Sequence, residues 1–266
     1  QPNAMGGREV GGLANMLACH LDLENPDHRA AVRDFWDAPS LPEAPGLKAV
    51  DMFRAVGDGR IKALWIIHTN PAVSMPEADA VRDAIKGCDF TVVSDITAAT
   101  DTARLADIVL PATAWAEKDG TVTNSDRMIS RQRRVLPAPK NARADWAILA
   151  EVGQRMGYHR AFDYNSPAEI FCEYAALSGI AGRFGRDFDI SRLSQLNDAD
   201  YAALAPIRWP ITATHEGGRF FADGRFFHGD GKARFVPVSY RPPASKTGPR
   251  YPFRLNTGRL RDQWHT

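Results

Sequence analysis

The chain has 266 residues, 44% hydrophobic and 24% charged, with 33 Lys and Arg against 32 Asp and Glu. That balance belongs to an ordinary globular protein of one large or two modest domains, and it excludes disorder, collagen or coiled coil as the main content. A net charge of +1 argues against a nucleic-acid footprint spread over the surface. The longest apolar run, Ala63-Leu64-Trp65-Ile66-Ile67, is far short of the ~20 residues of a membrane helix.

The first twenty residues read as a glycine-rich loop running into a helical pattern over 11–20. Prolines 26, 39, 42 and 45 make 22–48 a loop with one short helix over 27–36, and 49–59 suits a second helix. Residues 61–67 are nearly continuous and apolar, the pattern of a buried parallel strand. A helix over 77–86 follows, then a strand over 91–94 ending at Asp95. A short helix over 100–105 leads to a third strand over 108–110, closed by Pro111. Strand, helix, strand, helix, strand with short loops predicts an α/β fold, an open and mostly parallel Rossmann-like sheet with flanking helices. Residues 112–135 read as an extended excursion. Asp145 is placed as the cap of a helix over 146–156, and Ser166 as the cap of one over 167–177, with Pro167 at its first position. Ser194 or Asn197 starts a last short helix. Residues 219–227 and 233–238 predict a small β-meander, and 251–255 a further strand. The expected division is 1–208 as the α/β domain and 209–266 as a β-rich linker leading into another domain.

Cys19, Cys88 and Cys172 form no CxxC pair, so no zinc ribbon or iron–sulfur motif is encoded and no metal ligands are assigned. Sparse, unpaired cysteines suit a reducing compartment. The chain starts in a glycine-bearing loop and stops just after a strand and turn, and from this it is expected to be a piece of a longer polypeptide.

Three strand ends carry the candidate chemistry: Asn70-Pro71, Ser94-Asp95 and the segment from Asp107 to Pro111. They are expected to face one crevice, because ligands of open α/β sheets bind outside the carboxyl ends of the strands. A carboxylate there can accept two hydrogen bonds from a ribose diol or a guanine N–H edge, and Asn side chains with free backbone N–H groups can bind phosphate. Asn70, Asp95 and Asp107 equally suit turns and caps, so the residues alone leave both roles open. Neither the GxGxxG loop nor the GxxxxGK loop occurs, which excludes the usual dinucleotide and ATP sites. Arg8 follows Gly6-Gly7. Glycines let a backbone approach a ligand, and a guanidinium fork matches a planar oxyanion such as nitrate or carboxylate. An exposed loop arginine is the plainer alternative, and Met5 beside it suits packing as well as chemistry. Arg127, Arg131, Arg133 and Arg134 read as a solvated or domain-contacting cluster. No histidine has metal-ligand spacing, although His265 beside Trp264 stands out.

Several of these segments together resemble one family. Gln1-Pro2-Asn3-Ala4-Met5-Gly6-Gly7-Arg8-Glu9-Val10-Gly11-Gly12 strongly resembles a segment of molybdopterin-dependent assimilatory nitrate reductases. So do the stretch over 61–76 with Thr69-Asn70-Pro71-Ala72, Ser94-Asp95, Thr100-Asp101-Thr102, Ala106-Asp107-Ile108-Val109-Leu110-Pro111 and Trp115-Ala116-Glu117-Lys118-Asp119-Gly120-Thr121. Asn256-Thr257-Gly258-Arg259-Leu260-Arg261-Asp262-Gln263-Trp264-His265-Thr266 completes the match. The resemblance implies a bis-molybdopterin guanine dinucleotide cofactor with molybdenum and a 4Fe–4S cluster, both in a parent about three times longer. It implies that this chain is the α/β third domain of the parent, without the iron–sulfur or molybdenum cysteines. It is then inactive alone and holds no cofactor tightly. Asn70 would be the phosphate-side residue; Ser94, Asp95 and Asp107 would be ribose and guanine contacts. Thr257, Gly258, Arg259, Trp264 and His265 would form the turn approaching the pterins. Arg8, with Met5, would line the substrate funnel. Nitrate is the implied substrate, and the implied electron donor is ferredoxin, flavodoxin or an NADH-linked reductase. The other domains of the parent are the implied partners, with no nucleic acid or membrane, in the cytoplasm. The alternatives are a periplasmic nitrate reductase, a formate dehydrogenase, or a stand-alone nucleotide-binding or scaffold domain.

Overall fold

The structure, a computed structural model, describes residues 3–256. They divide into two units, one running through Gly217 and the other starting at Gly218.

The first unit opens with α1 (Ala4–Glu9), a single-turn 3-10 helix at Ala18–His20, α2 (Pro26–Trp36) and α3 (Ala49–Gly57). The start of α2 follows from its sequence: Asn25 Oδ1 accepts the N–H groups of Asp27 and His28, and Pro26 needs no partner at the first position. The helix expected over 11–20 is absent. Gly11 ends α1 instead, with φ +75°, and a Cβ there would sit 2.6 Å from the Ala18 nitrogen. Only glycine fits this turn, and the chain after it runs through turns to the 3-10 helix.

Next come β1 (Ala63–Ile67), α4 (Pro71–Ser74), α5 (Ala78–Gly87), β2 (Phe90–Asp95), a 3-10 turn at Ala103–Leu105 and β3 (Ile108–Pro111). The sheet has the order β1-β2-β3 and is wholly parallel, with Ile66 opposite Val93 and Asp95 opposite Pro111. This is the α/β architecture expected. Leu64, Ile66 and Val93 form one core with Phe53 and Val56 of α3 and Val81, Ala84 and Ile85 of α5. The apolar run of β1 is buried on this face alone, and Ile67 on the other face is 38% exposed. Continuous hydrophobicity therefore overstates burial here: α3 and α5 both pack with the face that carries Leu64 and Ile66.

A second sheet is antiparallel, β4 (Gly120–Thr123), β5 (Met128–Gln132) and β6 (Ile207–Arg208) in that order. The β4–β5 turn is closed by Asn124, whose Oδ1 accepts from the N–H groups of Asp126 and Met128. Between β5 and β6 lie α6 (Asp145–Arg155), α7 (Pro167–Gly182) and α8 (Asp198–Ala203). Asn197 caps α8, accepting from Asp200 N, whereas Ser166 makes no cap bond and donates to Asp198 Oδ1. A second core is aromatic. Phe188 has no exposed surface and packs on Tyr174 (5.1 Å), Trp209 (5.3 Å) and His20 (5.8 Å). Trp209 and Ile211 thus belong to the first unit.

The second unit contains no strand among its described residues. The β-meander expected over 219–238 is replaced by turns, with Phe226 N donating to Gly231 O and Phe221 stacked on Phe226 at 4.8 Å. The strand expected over 251–255 is reduced to a bridge between Gly248 and Tyr251. Phe235, Val236 and Val238 have strand-like character but no partner strand, and they are 94%, 78% and 89% exposed. Pro237 removes a ladder donor from their midst. Among the described residues no helix is long and apolar enough to cross a membrane.

Candidate functional site

The carboxyl ends of β1 and β2 lie side by side and form one wall at the end of the sheet. At the end of β1 the chain turns sharply through His68, whose φ is +50°, and delivers Asn70 to the start of α4. The turn is tied to β2 by a hydrogen bond from His68 N to Ser94 O (2.9 Å). Asn70 Oδ1 accepts from both Thr102 N (3.2 Å) and Thr102 Oγ1 (2.6 Å), while Thr102 Oγ1 itself accepts from Ala72 N (3.1 Å). Thr102 and Ala72 are fully buried. The carbonyl side of Asn70 is thereby occupied, leaving its amide NH2 as the group it can offer a ligand.

Asp95 is 9% exposed. Its Oδ1 accepts from Ile96 N (2.7 Å), and its Oδ2 is open to accept further. The Ser94 hydroxyl is turned to the other face of the sheet and accepts from Trp65 Nε1 at 2.9 Å, so Ser94 faces this wall only through its backbone. Asp107 departs from the expectation. It precedes β3, with its Oδ2 accepting from Thr91 N at 2.7 Å and its own N–H bonded to Thr91 O. That is the amino end of the sheet. Four residue steps lead from Asp107 to Pro111, roughly 13 Å at the usual rise, so Asp107 does not join Asn70 and Asp95. The sequence places it next to a strand without saying at which end its side chain would act.

A cluster missed by the sequence lies beside this wall. Asp145, the first residue of α6, accepts from Lys118 Nζ (2.6 Å) and bonds His68 Nε2 (2.5 Å). It was expected to cap α6, but Ala144 holds that position and the Asp145 carboxylate is used across the fold. His68, Lys118 and Asp145 are 77 residues apart at the widest, so no spacing rule could pair them. The Thr102 tie is testable by Thr102→Val, which keeps the shape but strands the buried Ala72 N–H. We expect a loss of about 1–3 kcal/mol in urea unfolding; an unchanged midpoint would remove Thr102 as a strut.

The second region is α1. Arg8 is exposed and Met5 half-buried, and their spacing puts them on adjoining positions of one helix face. The inner side is anchored by Glu9, which is 1% exposed. Its Oε2 accepts from Thr123 Oγ1 (2.7 Å) and Tyr174 OH (2.8 Å), and its Oε1 from Trp209 Nε1 (2.7 Å). Burial raises the Glu9 pKa, and the three hydrogen bonds offset part of that rise. A carboxyl with a raised folded pKa contributes its full stability below the unfolded value, near 4.5, and that contribution is lost as pH rises through the folded value. Relative to Glu9→Gln, the wild type should therefore weaken with rising pH across that window. Urea midpoints of both proteins from pH 4 upward check this, and a gap independent of pH would contradict it.

Among the described residues no group of three or more His, Cys, Asp or Glu is placed to hold a metal ion. Thr257, Gly258, Arg259, Trp264 and His265 lie outside the described residues.

The molybdopterin oxidoreductase family profile matches residues 3–155. The chain belongs to the molybdopterin oxidoreductase family. Among curated relatives, it is 49% identical over all its 266 residues to a nitrate reductase of Klebsiella oxytoca, covering 30% of that protein. It is 34% identical to the assimilatory nitrate reductase catalytic subunit of Bacillus subtilis, covering 37% of it. It is also 34% identical to the alpha subunit of an F420-dependent formate dehydrogenase of Methanocaldococcus jannaschii, again covering 37%. The chain thus spans about a third of the length of these relatives. In a molybdopterin oxidoreductase, the matched span carries α1, the parallel sheet and the crevice wall. Its open groups, the Asn70 amide and Asp95 Oδ2, are a donor and an acceptor that can engage the polar groups of a molybdopterin cofactor.

Proposed function

We propose that this chain is the guanosine- and pterin-binding part of a molybdenum-dependent nitrate reductase of the assimilatory type, which converts nitrate to nitrite. The observation that carries the reading is the 49% identity across the whole chain to a nitrate reductase, against 34% to a formate dehydrogenase. The cofactor in this reading is bis-molybdopterin guanine dinucleotide, which when bound supplies the molybdenum that accepts an oxygen atom. A 4Fe–4S cluster belongs to other parts of the parent. Asp95 Oδ2 accepts from the ribose or guanine, the Asn70 amide donates on the phosphate side, and Ser94 contributes backbone only. Residues 257–259, 264 and 265 supply contacts to the pterins. Residues 1–208, with 209–217 packed into the same unit, are the cofactor-binding domain, and the chain beyond leads to a domain that covers the cofactors.

Arg8 holds the nitrate anion through its guanidinium fork, with Met5 beside it. The remaining partners are the other domains of the parent and an electron donor, ferredoxin, flavodoxin or an NADH-linked reductase, in the cytoplasm. The test is nitrate-dependent oxidation of reduced viologen by the full-length protein, with the 266-residue chain as control. Activity in the full-length protein alone is expected. A molybdenum-loaded full-length protein that shows no nitrate-dependent oxidation of reduced viologen but reduces oxidised viologen with formate would replace this reading by the formate dehydrogenase one.

A further inference from the structure

A short, glycine-rich helix of the first unit carries an exposed candidate side chain, Arg8. α1 is six residues long and contains Gly6 and Gly7. Two glycines in a helix this short cost about 2 kcal/mol relative to alanine, and a lone helix of this length does not persist in water. Its start carries no side-chain cap. What holds it is tertiary. Asn3 Oδ1 accepts from Thr123 N (2.8 Å), and Glu9 receives Thr123, Tyr174 and Trp209. Both ends of α1 are therefore fastened to the same residue of β4, and its carboxyl end also to α7 and to the aromatic core around Phe188.

Arg8 immediately precedes Glu9; its side chain is exposed and makes no hydrogen bond or ion pair among the described residues, while its backbone carbonyl accepts from Gly11 N (3.0 Å). A guanidinium fork recognises a planar oxyanion only when aimed, and an arginine on a frayed turn would spend its rotamer and backbone freedom before it could bind.

We infer that Glu9 is a positioning residue for Arg8: by fastening α1 to Thr123, Tyr174 and Trp209, it fixes the guanidinium in its anion-binding direction. The inference rests on the reading of Arg8 as the nitrate-binding residue. Glu9 touches no substrate in it and acts only through the helix. All three donors to Glu9 are neutral, so glutamine replaces the carboxylate with little change. Its oxygen accepts from Trp209, and its NH2 donates to the Thr123 and Tyr174 hydroxyls, which can accept.

The test is a double-mutant cycle in the full-length protein with molybdenum content measured for each variant. Arg8→Ala is expected to lower kcat/KM for nitrate at least tenfold. Glu9→Ala is expected to lower it at least fivefold, mainly through KM, and to speed hydrogen exchange over residues 3–12. Glu9→Gln should return to within about threefold of wild type. In the Arg8→Ala background, Glu9→Ala should cost less than a further twofold. If Glu9→Ala yields no folded protein, Tyr174→Phe, which removes one donor and keeps the ring, is expected to cost two- to fivefold only while Arg8 is present. Multiplicative losses from the two sites, or wild-type kinetics in Glu9→Ala, would overturn the positioning role alone. Wild-type kinetics in Arg8→Ala would overturn the reading beneath it, and the inference with it.

Discussion

Phe188→Ala is expected to lower the unfolding free energy by about 3–5 kcal/mol, the range for removing a fully buried aromatic side chain. Phe188 has no exposed surface and lies at the meeting point of Tyr174, Trp209 and His20. Aromatic pairs in these stacked, tilted and edge-on arrangements add about 0.5–1.5 kcal/mol each beyond area. The cavity left behind is lined by rings from α7, from the residue after β6 and from the first 3-10 turn, which cannot close over it together. The loss should also reach α1, because Tyr174 and Trp209 are the same residues that donate to Glu9. Equilibrium urea unfolding of the 266-residue chain gives the number. A loss below about 1 kcal/mol would mean that this core repacks freely and does not hold its rings in one arrangement.

Arg8→Ala in the full-length protein should reduce nitrate turnover at least tenfold, about 1.4 kcal/mol of transition-state stabilisation. Arg8 lies on the solvent side of α1, so its removal leaves no cavity and no stranded buried group. A large kinetic effect with an unchanged unfolding midpoint therefore separates anion binding from folding. Arg8→Lys keeps the charge but loses the two-pronged fork, and it should fall between the two. Equal rates for all three proteins would take Arg8 out of the site.

The parallel sheet was legible because each of its strands is short, apolar and bounded by Pro, Asn or Asp, and because α5 lies between two of them at the length a crossover needs. The start of α2 was legible for a local reason too, Asn25 and Pro26 standing side by side. What escaped the sequence is held by distant partners. Glu9 reads as one more charged residue after an arginine; only the folded chain brings it under Thr123, Tyr174 and Trp209, the last 200 residues away. Asp145 reads as a cap because helix-start aspartates usually are, and nothing local announces His68 or Lys118. The error over 11–20 has the opposite cause: the pattern there is helical, and left-handed backbone at Gly11, Cys19 and His20 overrides it. The meander over 219–238 fails because alternation predicts a strand only when a neighbouring strand supplies the ladder.

The Asn70–Thr102 tie has a kinetic consequence. Thr102 follows β2 and Asn70 follows β1, so one threonine hydroxyl joins the two connections that emerge from the top of the sheet. Neither connection can swing without breaking a buried bond. A molecule arriving at this wall meets, among the described residues, two connections already fixed to each other. Capture there should be limited by encounter and desolvation, with single-phase association whose rate rises linearly with ligand concentration and shows no plateau from a slow rearrangement.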